Sequence, residues 1–135
     1  MKRRILTPAV IAVALLLVAS AVWADSDWAG TFWEIDPSQL PGITGTWEGT
    51  LYTTSSLPIR FLGTWRTDET RGTCGGIAIL STATGDYCVL NGWAAIDGDT
   101  LYDCWKGCFN EKTGLARGTW KTELHYGEWE GRMLE

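Results

Sequence analysis

The chain has 135 residues, 45% of them hydrophobic and 20% charged, and a net charge of −5. That length suggests one domain. Its 11 basic residues form no cluster beyond Lys2-Arg3-Arg4, against 16 acidic ones, which argues against a nucleic-acid or anionic-membrane surface.

Met1-Lys2-Arg3-Arg4 leads into an apolar run from Ile5 to Ala24, broken only by Thr7, Pro8 and Ser20. A basic start, an apolar middle and small residues at the end describe a secretory signal peptide, here a signal helix over 1–24. Val22-Trp23-Ala24 is a small-x-small cleavage point, preferred to Ala19-Ser20-Ala21 because acidic Asp25-Ser26-Asp27 follows. An uncleaved membrane anchor is the alternative, and Pro8 with the processing-like end counts against it. The predicted divisions are a signal peptide at 1–24, a lead-in at 25–44 and a β-barrel domain at 45–135. The expected location is secreted, periplasmic or cell-surface, with membrane contact only through an uncleaved signal segment. Residues 1–24 hold three basic and no acidic side chains, so the remainder carries 8 basic and 16 acidic groups, a net of −8.

Residues 25–44 are weakly patterned, although Thr31-Phe32-Trp33-Glu34-Ile35 has the composition of a short strand that could supply an eighth strand to a barrel. From Gly45 the pattern is period two, with no helical period. Gly-Thr-Trp occurs at 45–47, 63–65 and 118–120, with looser copies at Gly30-Thr31-Phe32-Trp33 and Gly127-Glu128-Trp129. Glycine admits a close neighbour, threonine favours the strand, and tryptophan fills space on one face. Strands are predicted over about 45–53, 59–67, 73–81, 86–96, 100–109, 115–124 and 128–134. Glu69-Thr70-Arg71-Gly72, Thr82-Ala83-Thr84-Gly85 and Glu111-Lys112-Thr113-Gly114 read as turns closed by a left-handed glycine, and Asp97-Gly98 as a two-residue hairpin. The fold class is all-β: an antiparallel meander of seven or eight strands closing into a small up-and-down barrel, since closure removes exposed edges.

Counting back from Gly114 sets Phe109 opposite Ala116 and Trp105 opposite Trp120, with Leu101 and Leu124 on the same inner face. Counting from Asp97-Gly98 brings Trp93 near Asp103, Asn91 near Trp105 and Cys88 near Cys108. The four cysteines are Cys74, Cys88, Cys104 and Cys108. In an exported chain an even count favours disulfides over a four-cysteine zinc site, for which only Cys104 and Cys108 are close. Cys88–Cys108 is the expected bridge and implies Cys74–Cys104, although a flat sheet does not let that second pair meet.

The tryptophans have two readings: barrel core, or the lining of a pocket that stacks on a ligand. Asn91 and Asp103, read as inward-facing, would be polar ligand anchors or satisfied structural groups. Trp93, toward one barrel end, is the first choice for the pocket. His125, the only histidine, reads as part of a solvated turn, without a nucleophile elbow to serve. No metal or cofactor is implied and no catalytic residue is assigned.

Gly42-Ile43-Thr44-Gly45-Thr46-Trp47 resembles the opening strand of the avidin/streptavidin family of eight-stranded biotin-binding barrels. Gly63-Thr64-Trp65 is similar to that family's second strand, and Trp120-Lys121-Thr122-Glu123-Leu124 to its penultimate one. The wider calycin group also opens with Gly-x-Trp. The resemblance implies an avidin-like or calycin-like barrel. Where the biotin binders place an asparagine, a serine and a tyrosine, this chain has Gly49, Thr53 and Trp65. The expected function is an exported binding module holding a small apolar or aromatic ligand through Trp65, Asn91, Trp93, Asp103, Trp105 and Trp120. The alternative is a protein-interaction or envelope-structural module with an extracytoplasmic protein partner. An enzyme ranks third.

Overall fold

The computed structural model describes residues 25–54 and 58–135; the predicted signal segment and both predicted cleavage points lie outside the described residues. Eight strands follow in order: β1 (Ser26–Glu34), β2 (Thr44–Tyr52), β3 (Arg60–Arg66), β4 (Arg71–Leu80), β5 (Asp86–Ile96), β6 (Asp99–Asn110), β7 (Leu115–Lys121) and β8 (Tyr126–Met133). Each pairs antiparallel with its successor, and β8 pairs back onto β1, closing the barrel. The expected all-β meander is therefore present, at the upper of its two strand counts.

The barrel starts earlier than the sequence reading places it. Residues 26–34 belong to β1, which lies between β2 and β8, rather than to a lead-in. Trp28 and Phe32 pack into the core, two residues either side of Gly30. Trp33 beside Phe32 blurs the alternation that marks such a strand.

The Gly-Thr-Trp repeat has a geometric cause. Trp47, Trp65 and Trp120 join the core while the threonine before each is exposed. The inward glycines make room for rings. A Cβ on Gly72 would meet the Trp65 ring, on Gly92 the Trp105 ring, on Gly127 the Trp120 ring and on Gly131 the Trp47 ring. Both Gly107 and Gly118 lie under Trp129. Large and small residues thus interlock inside a barrel too narrow for large ones at every position.

One end is filled. Trp28, Leu51 and Val89 are fully buried there, with Phe109 at 1% and Phe61 at 2% exposure. Phe61 stacks on Phe109 with ring centroids 4.9 Å apart, and Trp28 meets Phe109 edge-on at 5.2 Å. Higher in the barrel Trp129 lies edge-on to Trp47 at 5.4 Å and to Trp105 at 5.8 Å. Offset and edge-on pairs suit the ring quadrupole.

Much of the predicted register holds. Trp105 pairs with Trp120, Phe109 with Ala116, and Cys88 with Cys108, which are joined by a disulfide. Asp97 and Gly98 have φ of 49° and 85°, as a two-residue hairpin of mirror-image type requires. Gly85 and Gly114 take the expected left-handed conformation at 80° and 73°. Gly72 does not. It lies inside β4, the turn being closed earlier by Thr67 N–H donating to the Thr70 carbonyl at 2.8 Å. Leu124, expected inside, is 81% exposed in the β7–β8 turn, because β7 ends at Lys121.

Candidate functional site

The end of the barrel away from the termini carries the segment 35–43 and the turns β3–β4, β5–β6 and β7–β8. A cavity of about 890 Å³ opens there. Its two walls differ. Phe32, Trp47, Trp65, Trp120 and Trp129 form an aromatic side contributed by β1, β2, β3, β7 and β8. The other side, from β4, β5 and the start of β6, is built of Cys74, Ala94, Ile96, Leu101 and Cys104. The small residues Cys74 and Ala94 are why the cavity lies against this side. Trp105, Phe61 and Phe109 form the floor.

Every indole in the lining spends its N–H on the barrel itself. Trp47 donates to the Glu130 carbonyl at 3.2 Å, Trp65 to Thr73 at 3.1 Å and Trp105 to Trp93 at 2.9 Å. Trp120 donates to Trp33 at 3.2 Å and Trp129 to Lys106 at 3.1 Å. These bonds fix the ring planes and leave apolar surface toward the cavity.

Of the residues chosen from the sequence, Trp65, Trp105 and Trp120 line this cavity; Asn91, Trp93 and Asp103 do not. Asn91 and Asp103 are exposed, and the Trp93 ring covers Gly75 beside the partly exposed Leu62. The cause is local. The β5–β6 register shifts between Val89 and Gly92 and again between Gly92 and Ala94, and Asp103 sits at a φ of 55°. Consecutive Leu90 and Asn91 both face out, and consecutive Cys104 and Trp105 both pack in. Bulges break alternation, so a face assigned by counting inverts beyond them.

The two remaining cysteines also differ from the expectation. Cys74 and Cys104 are free thiols, 9% and 8% exposed, on the same wall of the cavity. Burial pushes the Cys74 thiol up to about 12, with the neighbouring Cys104 adding to the rise. Burial raises Cys104 as well, Asp103 adding while the N–H groups of Cys104 and Ala94 act against it. Below the ordinary value of 9.0 both folded and unfolded chains keep the Cys74 proton. Above it only the unfolded chain loses the proton, until the folded value is reached. Stability should therefore fall between pH 9.0 and about 12, at a limiting slope of about 1.4 kcal/mol per pH unit. Urea melts at mildly and strongly alkaline pH check this, and Cys74→Ala should flatten much of the dependence. An unchanged slope in that variant would contradict the assignment.

The mouth is braced at one point that the sequence reading passes over. Glu34, whose side chain is 6% exposed, accepts the Ile43 N–H at 3.0 Å through one oxygen and contacts His125 Nδ1 at 2.7 Å through the other. It thereby ties both ends of the 35–43 segment to the β7–β8 turn. The Ile43 N–H and then His125 hold the Glu34 carboxyl below its ordinary value. The brace is thus complete above the ordinary carboxylate range and lost as acid protonates Glu34. His125, expected in a solvated turn, is in that turn but has a structural partner. Gln39, Leu40, Pro41, Gly42 and Ile43 of the braced segment line the mouth. Nothing in their composition marks this, because their place depends on β1 being a strand.

No family model, curated protein or solved structure matches the chain. The closed eight-stranded meander has the architecture that the avidin-like and calycin-like resemblance implies, and the disulfide is consistent with an oxidising environment.

Proposed function

We propose that this chain is an exported binding module of avidin-like or calycin-like form, not an enzyme, which holds a small apolar or aromatic ligand in the mouth of its barrel. The observation that carries the reading is the cavity of about 890 Å³, open at one end, with aromatic, aliphatic and sulfur-bearing side chains on its inner walls and threonines and charged groups at its mouth. Its size lies within the range of ordinary ligand pockets. Trp65, Trp105 and Trp120 are the residues assigned to ligand contact, joined by Phe32 and Ala94.

Tryptophan fluorescence titrated with a panel of hydrophobic and aromatic small molecules tests this. Saturable quenching or a blue shift is expected in the native protein. It should vanish in Ala94→Phe, whose added ring would occupy the cavity. An identical response in both proteins would place binding elsewhere.

A second reading is supported by one observation. Leu62, Ile77, Ile79 and Leu90 form an exposed apolar strip on the outside of β3, β4 and β5, between 41% and 60% exposed. It suits an interaction or envelope-structural module. Co-purification of a stoichiometric envelope protein, lost on Ile77→Lys, would favour that reading.

A further inference from the structure

The polar groups around the cavity are distributed unevenly along its depth. The five lining indoles have committed their donors to backbone carbonyls. Among the described residues no polar or charged residue is fully buried, and no buried side-chain nitrogen or oxygen lacks a partner. The heteroatoms of the inner wall are therefore sulfurs, and Cys104 Sγ is already turned to the Leu101 carbonyl at 3.5 Å. Thiols are weak donors and acceptors. The mouth is different: Thr44, Thr67, Thr70 and Thr122 line it with Asp68, Glu69 and Lys121.

A ligand polar group carried to the floor would lose its water and gain almost nothing in return. The same group left at the mouth keeps water and meets hydroxyls and charges. From this we infer that the site selects a one-ended amphiphile. An apolar body enters first, between the aromatic wall and Cys74, Ala94 and Cys104, and a single polar terminus stays among the mouth threonines. Molecules with polar groups at both ends, including a bicyclic urea of the biotin type, are disfavoured. This inference rests on the proposed binding function and adds the ligand's chemical class and orientation.

Two isomers separate orientation from overall polarity. The probes are 1,2-decanediol, with both hydroxyls at one end, and 1,10-decanediol, with one at each end. They are titrated into the purified protein under tryptophan fluorescence, beside a series of 1-alkanols. The 1,2-isomer is expected to bind roughly tenfold or more tightly than the 1,10-isomer, the loss coming from one buried unpaired hydroxyl. Affinity along the alkanol series should rise about fourfold per methylene until the apolar wall is covered. Equal affinity of the two diols, or preference for the 1,10-isomer, would overturn the inference and leave a binding module standing. Saturable binding of biotin with no response to any alkanol would do the same. No saturable response to any probe or to the hydrophobic panel would remove both the inference and the proposed function.

Discussion

Trp129→Ala is expected to cost about 3–5 kcal/mol, enough to leave much of a domain this size unfolded. The ring is 6% exposed. It lies edge-on to Trp47 and Trp105 and tilted against Phe109, covers Gly107 and Gly118, and donates to the Lys106 carbonyl. Truncation removes all of these together, and flanking strands held by a closed hydrogen-bond ladder cannot collapse to fill the space. Trp65→Ala is the comparison. Trp65 is only half-buried at the mouth, with one side toward the cavity, so its loss should cost clearly less and weaken ligand binding instead. Chemical denaturation of the two variants checks this. Equal, severe losses would mean that the mouth tryptophans are core.

Gly118→Ala is expected to be almost as damaging, at about 3 kcal/mol, although it adds one methyl group. That methyl would overlap both the Lys106 carbonyl oxygen and the Trp129 ring. The carbonyl belongs to the β6–β7 ladder, so relief requires two strands to separate. Gly98→Ala is the control for backbone preference. Gly98 has a φ of 85° with nothing within 4 Å of an added Cβ, so only the left-handed conformation is penalised, at about 1–2 kcal/mol. Thermal melting of the two variants should place Gly118→Ala well below Gly98→Ala. The reverse order would contradict the interlocking of glycine and tryptophan on which the core depends.

That interlocking explains what could be read from the sequence. Period-two patterning and turn chemistry are local, and they located the strands from β2 onward, the Asp97-Gly98 hairpin, the Trp105–Trp120 pairing and the Cys88–Cys108 bridge. The failures have non-local causes. β1 is short of local signal and is fixed by closure onto β8. The inner face of β5 and β6 depends on two successive irregularities on facing strands, near Asn91 and at Asp103, and counting from a turn cannot detect them. The aromatic lining of the cavity was therefore legible in part, through Trp65 and Trp120 on its side and Trp105 on its floor, while Asn91, Trp93 and Asp103 fell on the wrong face. The small-residue side was not legible. Cys74 and Cys104 carried a disulfide reading, and Ala94 carried none. A cavity is defined by what small residues leave open, and only the assembled barrel shows which of them face each other. The brace between Glu34 and His125 joins positions 91 apart in sequence and was invisible for the same reason.

The tryptophan-lined end of the barrel is proposed to be a binding site and not merely the upper layer of a packed core. Thermal melting of the native protein and of Ala94→Phe, each with and without 1-decanol near saturation, tests it most directly. Ligand at a hundredfold excess over its Kd stabilises a one-site protein by about 2.7 kcal/mol. The native Tm should rise by several degrees, while Ala94→Phe should remain folded and show no shift. A ligand-dependent rise of the same size in both proteins, or none in either, would contradict the claim.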